Sequence, residues 1–248
     1  MPDKVNYLFA FNLTPEDAIT YFRTKGYAFS WNWEDVWQEE HSHAFTVAKM
    51  MQLDLLMDTR KIVDEFNAGN IDYKTAYKQL EFKLRAKGWW GKQQQLNPTT
   101  GEMEEVQLGS PWRVKRILET NMTVAHSAAM YETQKSQASF APYWQYIDQD
   151  DARVRVLHHK VGTIFKNAVL IHSHPFWNKW YPPNDWGCRC YVRHYTLLQV
   201  KIYGLTILED IPDDIGEPAP GWGYIPGQYK PDLSKYPQQL INKVGLQQ

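Results

Sequence analysis

Ile171-His-Ser-His-Pro-Phe-Trp-Asn-Lys-Trp-Tyr-Pro-Pro-Asn-Asp-Trp-Gly-Cys-Arg-Cys190 holds both cysteines of the chain, two of its eight histidines, three of its eleven tryptophans and three of its fourteen prolines. Proline fixes φ and removes a backbone donor, so Pro175, Pro182 and Pro183 predict a rigid loop rather than a helix. Large aromatics beside such prolines pack flat on a core and pin the loop down. The loop then delivers Cys188 and Cys190 to one place.

A spacing of two residues is too tight for an ordinary unstrained disulfide, yet it lets two thiolates share one metal. His172 and His174 repeat that spacing on the other arm of the loop, and His158 and His159 lie upstream. Two cysteines with two histidines make a closed tetrahedral zinc site, which would tie the arms together and supply folding energy. The candidate ligands are Cys188, Cys190, His172, His174 and His158, and the zinc they imply is structural. The alternative is a pair of free thiols packed under the tryptophans. A catalytic zinc is disfavoured, because the ligands look committed to structure and no base stands out.

Outward from the loop, short runs with strand character surround it. Tyr143–Ile147 alternates like a strand, Arg153–Leu157 and Thr163–Phe165 are candidates for others, and Ala168–Ile171 and Tyr191–Leu198 flank the loop. Asp148, Asp150 and Asp151 precede Arg153 and Arg155, and read as a strand end pairing with neighbouring arginines. From Pro212 to Pro237 the chain is rich in Pro and Gly, with Trp222 and Tyr224 as anchors of an extended, wrapping tail.

The N-terminal half has helical periodicity. Thr14-Pro15 starts a short helix that ends at Gly26, and Tyr27–Trp33 is an aromatic connector. Apolar positions from Trp33 to Phe66 predict one amphipathic helix of about 30 residues. Asn67–Asn70 ends it, Asp72 caps a second helix with Ala76, Leu80 and Leu84 on one face, and the two should pack as a hairpin. Residues 89–109 are polar; either Asn97–Gly101 joins two short strands or the whole segment is mobile. Ser110-Pro111 starts a third helix, striped by Ile117, Asn121, Val124, Ala128 and Tyr131; a buried Asn121 needs a hydrogen-bond partner.

The expected fold is therefore α+β: a helical domain over 1–138 with a polar insertion at 89–109, a β-rich domain over 139–200, and an extended tail over 201–248. At 248 residues, 43% hydrophobic and 15% aromatic, the chain can bury a core without disulfide staples. A net charge of -1 gives no general field for nucleic acid or anionic membrane. No stretch approaches the roughly 18 apolar residues of a membrane span, and the N-terminus lacks a signal-peptide pattern. Lys83, Arg85, Lys87, Arg113, Lys115 and Arg116 read as solvated helix faces before they read as a DNA surface. His41 and His43, two apart on a helix, face different ways. No phosphate-binding glycine loop and no serine nucleophile motif is present.

Asp151-Ala-Arg153-Val-Arg155, His158, Pro175-Phe176-Trp177, Tyr181-Pro182-Pro183-Asn184 and Trp186-Gly-Cys188-Arg189-Cys190-Tyr-Val192 together resemble the Mu F-like minor head proteins of the phage head-morphogenesis family. Ala18–Gly26, Val36–His41, Ala44–Ala48, Glu119–Asn121 and Gly221–Gly227 fit as well, so the resemblance covers nearly the whole chain. It departs from the family before Pro175, where Ser173 and His174 replace the usual acids. The resemblance implies a structural component inside the virion head, made in the bacterial cytoplasm. Its implied partners are portal and capsid proteins and packaged DNA, with no membrane and no small-molecule substrate. It also implies assembly rather than turnover; since only the extended tail follows the cysteine pair, the effector domain some relatives carry is expected to be absent. The rival from another class is a metal-dependent hydrolase or nuclease using His158, His159, Asp151 and the cysteine pair.

Overall fold

The computed structural model describes residues 52–97 and 100–226, with a few positions between 19 and 50 and Gln228. The fold is mixed α+β. The chain forms two compact units, and the division falls between Met122 and Thr123, inside one helix.

In the N-terminal unit, β1 (Gly26–Tyr27) pairs in parallel with β2 (Ala44–Phe45). Helix α1 (Leu53–Asn67) follows, so the expected helix of about 30 residues is not formed. Residues 28–43, with His41 and His43, lie outside the described residues, as does most of the expected first helix. The physical reason for the late start is visible at 47–50. The Ala48 carbonyl accepts from the Arg113 guanidinium at 2.6 Å, and the Lys49 carbonyl accepts from the Trp89 indole at 3.0 Å. Those carbonyls are spent on side chains instead of on a helical ladder, and Lys49 sits at φ 66°, a left-handed conformation that breaks the helix.

Helix α2 (Tyr73–Ala86) starts where Asp72 Oδ1 accepts from the Thr75 N–H at 2.6 Å, and buries Ala76, Leu80 and Leu84. Lys83 and Lys87 of α2 reach Asp58 and Asp54 of α1 at 3.0 and 2.7 Å, a register in which α2 runs back along α1. Arg85 pairs with Glu81. Lys83, Arg85 and Lys87 are thus matched by acids. Strands β3 (Lys92–Leu96) and β4 (Met103–Gln107) form an antiparallel hairpin through the Asn97–Gly101 turn. Helix α3 (Pro111–Ser136) begins at Ser110, whose hydroxyl accepts from the Arg113 N–H. Arg113 is half-buried against the Trp89 ring, and desolvation lowers its pKa to about 10. It packs on Trp89 and bonds the Ala48 carbonyl. Asn121, 9% exposed, donates to the Ile117 carbonyl one turn back, which answers its need for a partner.

The C-terminal unit is built on a four-stranded sheet in the order β7-β5-β6-β8. Its strands are β5 (Tyr143–Ile147), β6 (Ala168–Ile171), β7 (Tyr191–Tyr195) and β8 (Thr206–Leu208). Strand β5 is antiparallel to β7 and β6, and β8 is parallel to β6. The two strands expected at Arg153–Leu157 and Thr163–Phe165 are instead joined in helix α4 (Val156–Ile164). The spacing explains it: His158, Val161 and Gly162 turn inward together at helical intervals, which the short apolar runs read separately could not reveal. Strand β7 stops at Tyr195 rather than Leu198, because Thr196 and Gln199 form a reciprocal cap that starts α6 (Leu197–Ile202).

The proline loop also differs in one detail from the expectation. Pro175 opens a single-turn helix α5 (Phe176–Trp180), a position where proline's missing N–H costs nothing. This turn puts Phe176, Trp177 and Trp180 on the core with Trp144, Tyr146, Phe165 and Tyr181. Trp144 and Trp177 meet edge to face at 5.5 Å, and Tyr131 of α3 meets Tyr181 at 5.0 Å. Each buried aromatic of this kind removes 150–250 Å² from water. Trp222 and Tyr224 are buried as anchors of the following segment, and Trp222 packs on Trp186 at 5.1 Å.

Candidate metal centre

Two elements converge beneath the aromatic loop. Helix α4 supplies His158, and the arm leading into β7 supplies Cys188 and Cys190. His158 Nδ1 lies 3.7 Å from Cys188 Sγ and 3.6 Å from Cys190 Sγ. The three ligand atoms all fall within 4.8 Å of one another, a group able to hold a metal ion. His158 and Cys188 are both 4% exposed, and the imidazole stands edge-on to Trp180.

The cysteine arm is held from several sides. Arg189 clamps Asp151 with two bonds of 2.7 and 2.6 Å. Arg155, just ahead of α4, pairs with Asp185 at 2.5 Å and donates to the Trp186 carbonyl. Gln149 donates to the Arg189 carbonyl at 3.1 Å. Asp151 and Arg155, expected to belong to one acid–arginine cluster, bond elsewhere: Asp151 to the arginine between the two cysteines, and Arg155 to Asp185. Planar, two-bond pairing of this kind fixes geometry as well as charge.

The electrostatics favour one thiolate before any ion is added. Burial opposes ionisation of Cys188. Hydrogen bonds with Cys190 and His158, the His158 charge and the Asn184 backbone N–H outweigh it, and the thiol is held well below its usual value. The bond to Cys188 and burial then push Cys190 upward, since two adjacent thiolates repel. A bound cation would favour the thiolate form of both. Burial, with the neighbouring sulfurs, also raises the Tyr146 phenol well above its usual value.

His172 and His174 stand apart from this group. The His172 ring packs against Trp144 at 5.8 Å. His174 Nδ1 accepts from the Phe176 N–H at 3.1 Å, and its Nε2 lies 3.2 Å from Asp210. His174 thus does at the start of α5 what a carboxylate does at a helix start. His159 faces the other way from His158, with Nδ1 2.8 Å from Asp148 Oδ2.

Sequence reasoning missed two supporting residues. Asn184 is fully buried; its side chain accepts from the Tyr146 hydroxyl at 3.0 Å and its backbone carbonyl accepts from Ala219. Tyr146 links that asparagine to the sulfurs. Asn184 was visible only as part of a motif, and Tyr146 only as one aromatic of a strand.

These features define a compact α+β unit whose aromatic clasp closes over a His-Cys-Cys group. Residues 70–193 match the family described as Phage Mu protein F like protein, and the chain belongs to it. It is 36% identical over 208 residues to the putative capsid assembly protein F of Escherichia phage Mu, covering 84% of this chain and 46% of that protein. It is 37% identical over 179 residues to the Mu-like prophage FluMu F protein of Haemophilus influenzae, covering 72% of this chain and 41% of that protein. The chain spans less than half the length of these two relatives. No solved structure matches. Among the described residues no helix is long and apolar enough to cross a membrane.

Proposed function

We propose that this chain is a head-assembly component of a tailed phage or prophage, acting inside the head beside the portal and supporting DNA packaging or delivery. The observation that carries the reading is the 36% identity to a putative capsid assembly protein over 84% of the chain. Its partners on this reading are portal and capsid proteins, and its work is to be assembled rather than to turn over a substrate.

The clasp serves that role as a structural zinc site. A tetrahedral zinc bonded to sulfur at about 2.3 Å and to nitrogen at about 2.0–2.1 Å holds those atoms about 3.6 Å apart. The separations here are 3.7 and 3.6 Å. His158, Cys188 and Cys190 would hold the ion, which would supply folding energy by joining α4 to the β7 arm.

The test is fractionation of purified virions, with this protein quantified against the portal, alongside metal analysis of the isolated chain. The expected result is a few copies per head, bound zinc, and a Cys188→Ser variant that loses zinc and melts at a lower temperature. Absence from virions and from assembly intermediates would overturn the assembly role. A nuclease activity abolished by His158→Ala would replace it with the metal-dependent hydrolase reading.

A further inference from the structure

The sheet of the C-terminal unit has two faces, and they are covered very differently. Trp144, Tyr146, Leu170 and Val192 point into the aromatic core with Leu208. Tyr143, Val169 and Tyr195 alternate with them along the strands and point to the other face, where Val200 of α6 packs on them with Leu205 beside it. Helix α6 lies on the connection between β7 and β8, the two edges of the sheet. An apolar sheet face packs against a second layer; among the described residues that layer is a helix of six residues.

The helix is apolar on both sides. Val200 is its one buried residue. At about 100° per residue, Leu198 and Ile202 lie almost opposite Val200, away from the sheet. They are 67% and 68% exposed. Leu197 and Tyr203 flank them and are exposed too, as is Ile207, which pairs with Val169 and so shares this face. A helix with apolar residues all round is normally a buried helix. These five side chains leave roughly 500 Å² of surface open, within the ~300–600 Å² of the largest patch on a typical monomer, which is often functional.

We propose that this face is the contact between two copies of the chain. Helix α6 packs antiparallel on the partner's α6, so that Leu198 of each copy meets the partner's Ile202. Two observations favour a second copy as the occupant. The rim carries both signs: Lys201 beside the apolar stripe and Glu209 just past β8 are exposed, and neither side chain has an ion-pair partner among the described residues. A rim of one sign would call for a partner of the other, whereas a rim of both signs complements itself, as an isologous contact requires. The area agrees as well. Two such faces together remove on the order of 1,000 Å² from water, where specific interfaces begin, so the dimer is weak and reversible.

Sedimentation velocity of the full chain, from about 1 to about 200 µM, reads the association directly. The wild type should pass from monomer to dimer within that range. Leu198→Glu and Ile202→Lys each set a charge against an apolar side chain twice across the two-fold, and each should weaken self-association at least about 10-fold. Both positions are exposed, so both variants should melt as the wild type does. An equimolar mixture of the two variants should dimerise again, because the introduced charges then face each other once and the remaining Ile202 and Leu198 face each other at the second contact. Recovery in the mixture is specific to this antiparallel pairing of two copies. A wild type that dimerises but is unaffected by either variant, or a mixture that stays monomeric, would overturn the proposal. A wild type that stays monomeric throughout, while Leu198→Glu blocks incorporation into heads, would overturn it too and assign the face to another head protein.

Discussion

Gln134 ties helix α3 to the clasp and to the strand beyond the cysteines, and its removal should have an effect that a second mutation partly reverses. Gln134 and Tyr181 are 2% and 1% exposed. The Tyr181 hydroxyl donates to Gln134 Oε1 at 2.8 Å, and Gln134 Nε2 donates to the Val192 carbonyl at 2.8 Å. Gln134→Leu leaves two buried polar groups unpaired, the Tyr181 hydroxyl and the Val192 carbonyl. At about 1–3 kcal/mol for each stranded group, the cost is about 2–6 kcal/mol. Tyr181→Phe alone strands only Gln134 Oε1 and keeps the ring contacts with Tyr131 and Trp144, costing about 1–3 kcal/mol. In the double variant only the Val192 carbonyl lacks its partner. Tyr181→Phe should therefore stabilise the Gln134→Leu protein by about 1–3 kcal/mol while destabilising the wild type. Urea unfolding followed by tryptophan fluorescence reads both signs, since the clasp tryptophans report on this region. Strictly additive losses in the double variant would refute the relay.

Two further outcomes are expected. The Arg189 clamp holds the Asp151 carboxyl down to about 2. A pKa depressed on folding contributes stability above the unfolded carboxylate value, near pH 4, and loses it as pH falls toward 2. The difference in Tm between wild type and Asp151→Asn should thus be full at neutral pH and close as pH drops from about 4 to about 2; a difference constant across that window would remove the clamp from the argument. Lys49 adopts φ 66° without being glycine, a conformation costing about 1–2 kcal/mol for residues with a side chain. Lys49→Gly should raise stability by up to about 1 kcal/mol, after the loss of its 3.9 Å contact with Glu104 and the greater freedom of the unfolded chain. A lower Tm would show that the contact outweighs the strain.

Much of the framework was legible because it is local. Asp72 and Ser110 cap α2 and α3 through their own neighbouring N–H groups, and Asn97–Gly101 closes a hairpin between adjacent strands. Such signals are complete within a few residues. The long N-terminal helix failed for the opposite reason. Its apolar spacing ran on through 47–50, while the bonds that end it come from Trp89 and Arg113, about 40 and 65 positions away. Helix α4 was misread as two strands because its inward face is made of His158 and Gly162 besides Val161. A histidine and a glycine do not register as an apolar stripe, and both are there for what they admit rather than for what they bury.

The same contrast separates the parts of the candidate site. The cysteine spacing is a local fact, and it correctly brought two sulfurs together. The histidine was harder, since four stood within reach along the chain and only the fold selects among them. His172 and His174 share the cysteines' loop, yet α5 turns between the two arms and engages His174 at its own first turn. His158 comes instead from an element thirty residues upstream of Cys188, brought in because α4 packs against β5. The rule that follows is physical. A rigid aromatic loop constrains its own ends, so residues at those ends can be assigned from sequence. A partner supplied by another element can be assigned only once the core beneath the loop, here Trp144, Tyr146, Phe165 and Trp180, fixes how that element is placed. Gly162 is the sequence signal that could have pointed there: a glycine one turn after a histidine, inside a helix, marks a place where something must come close.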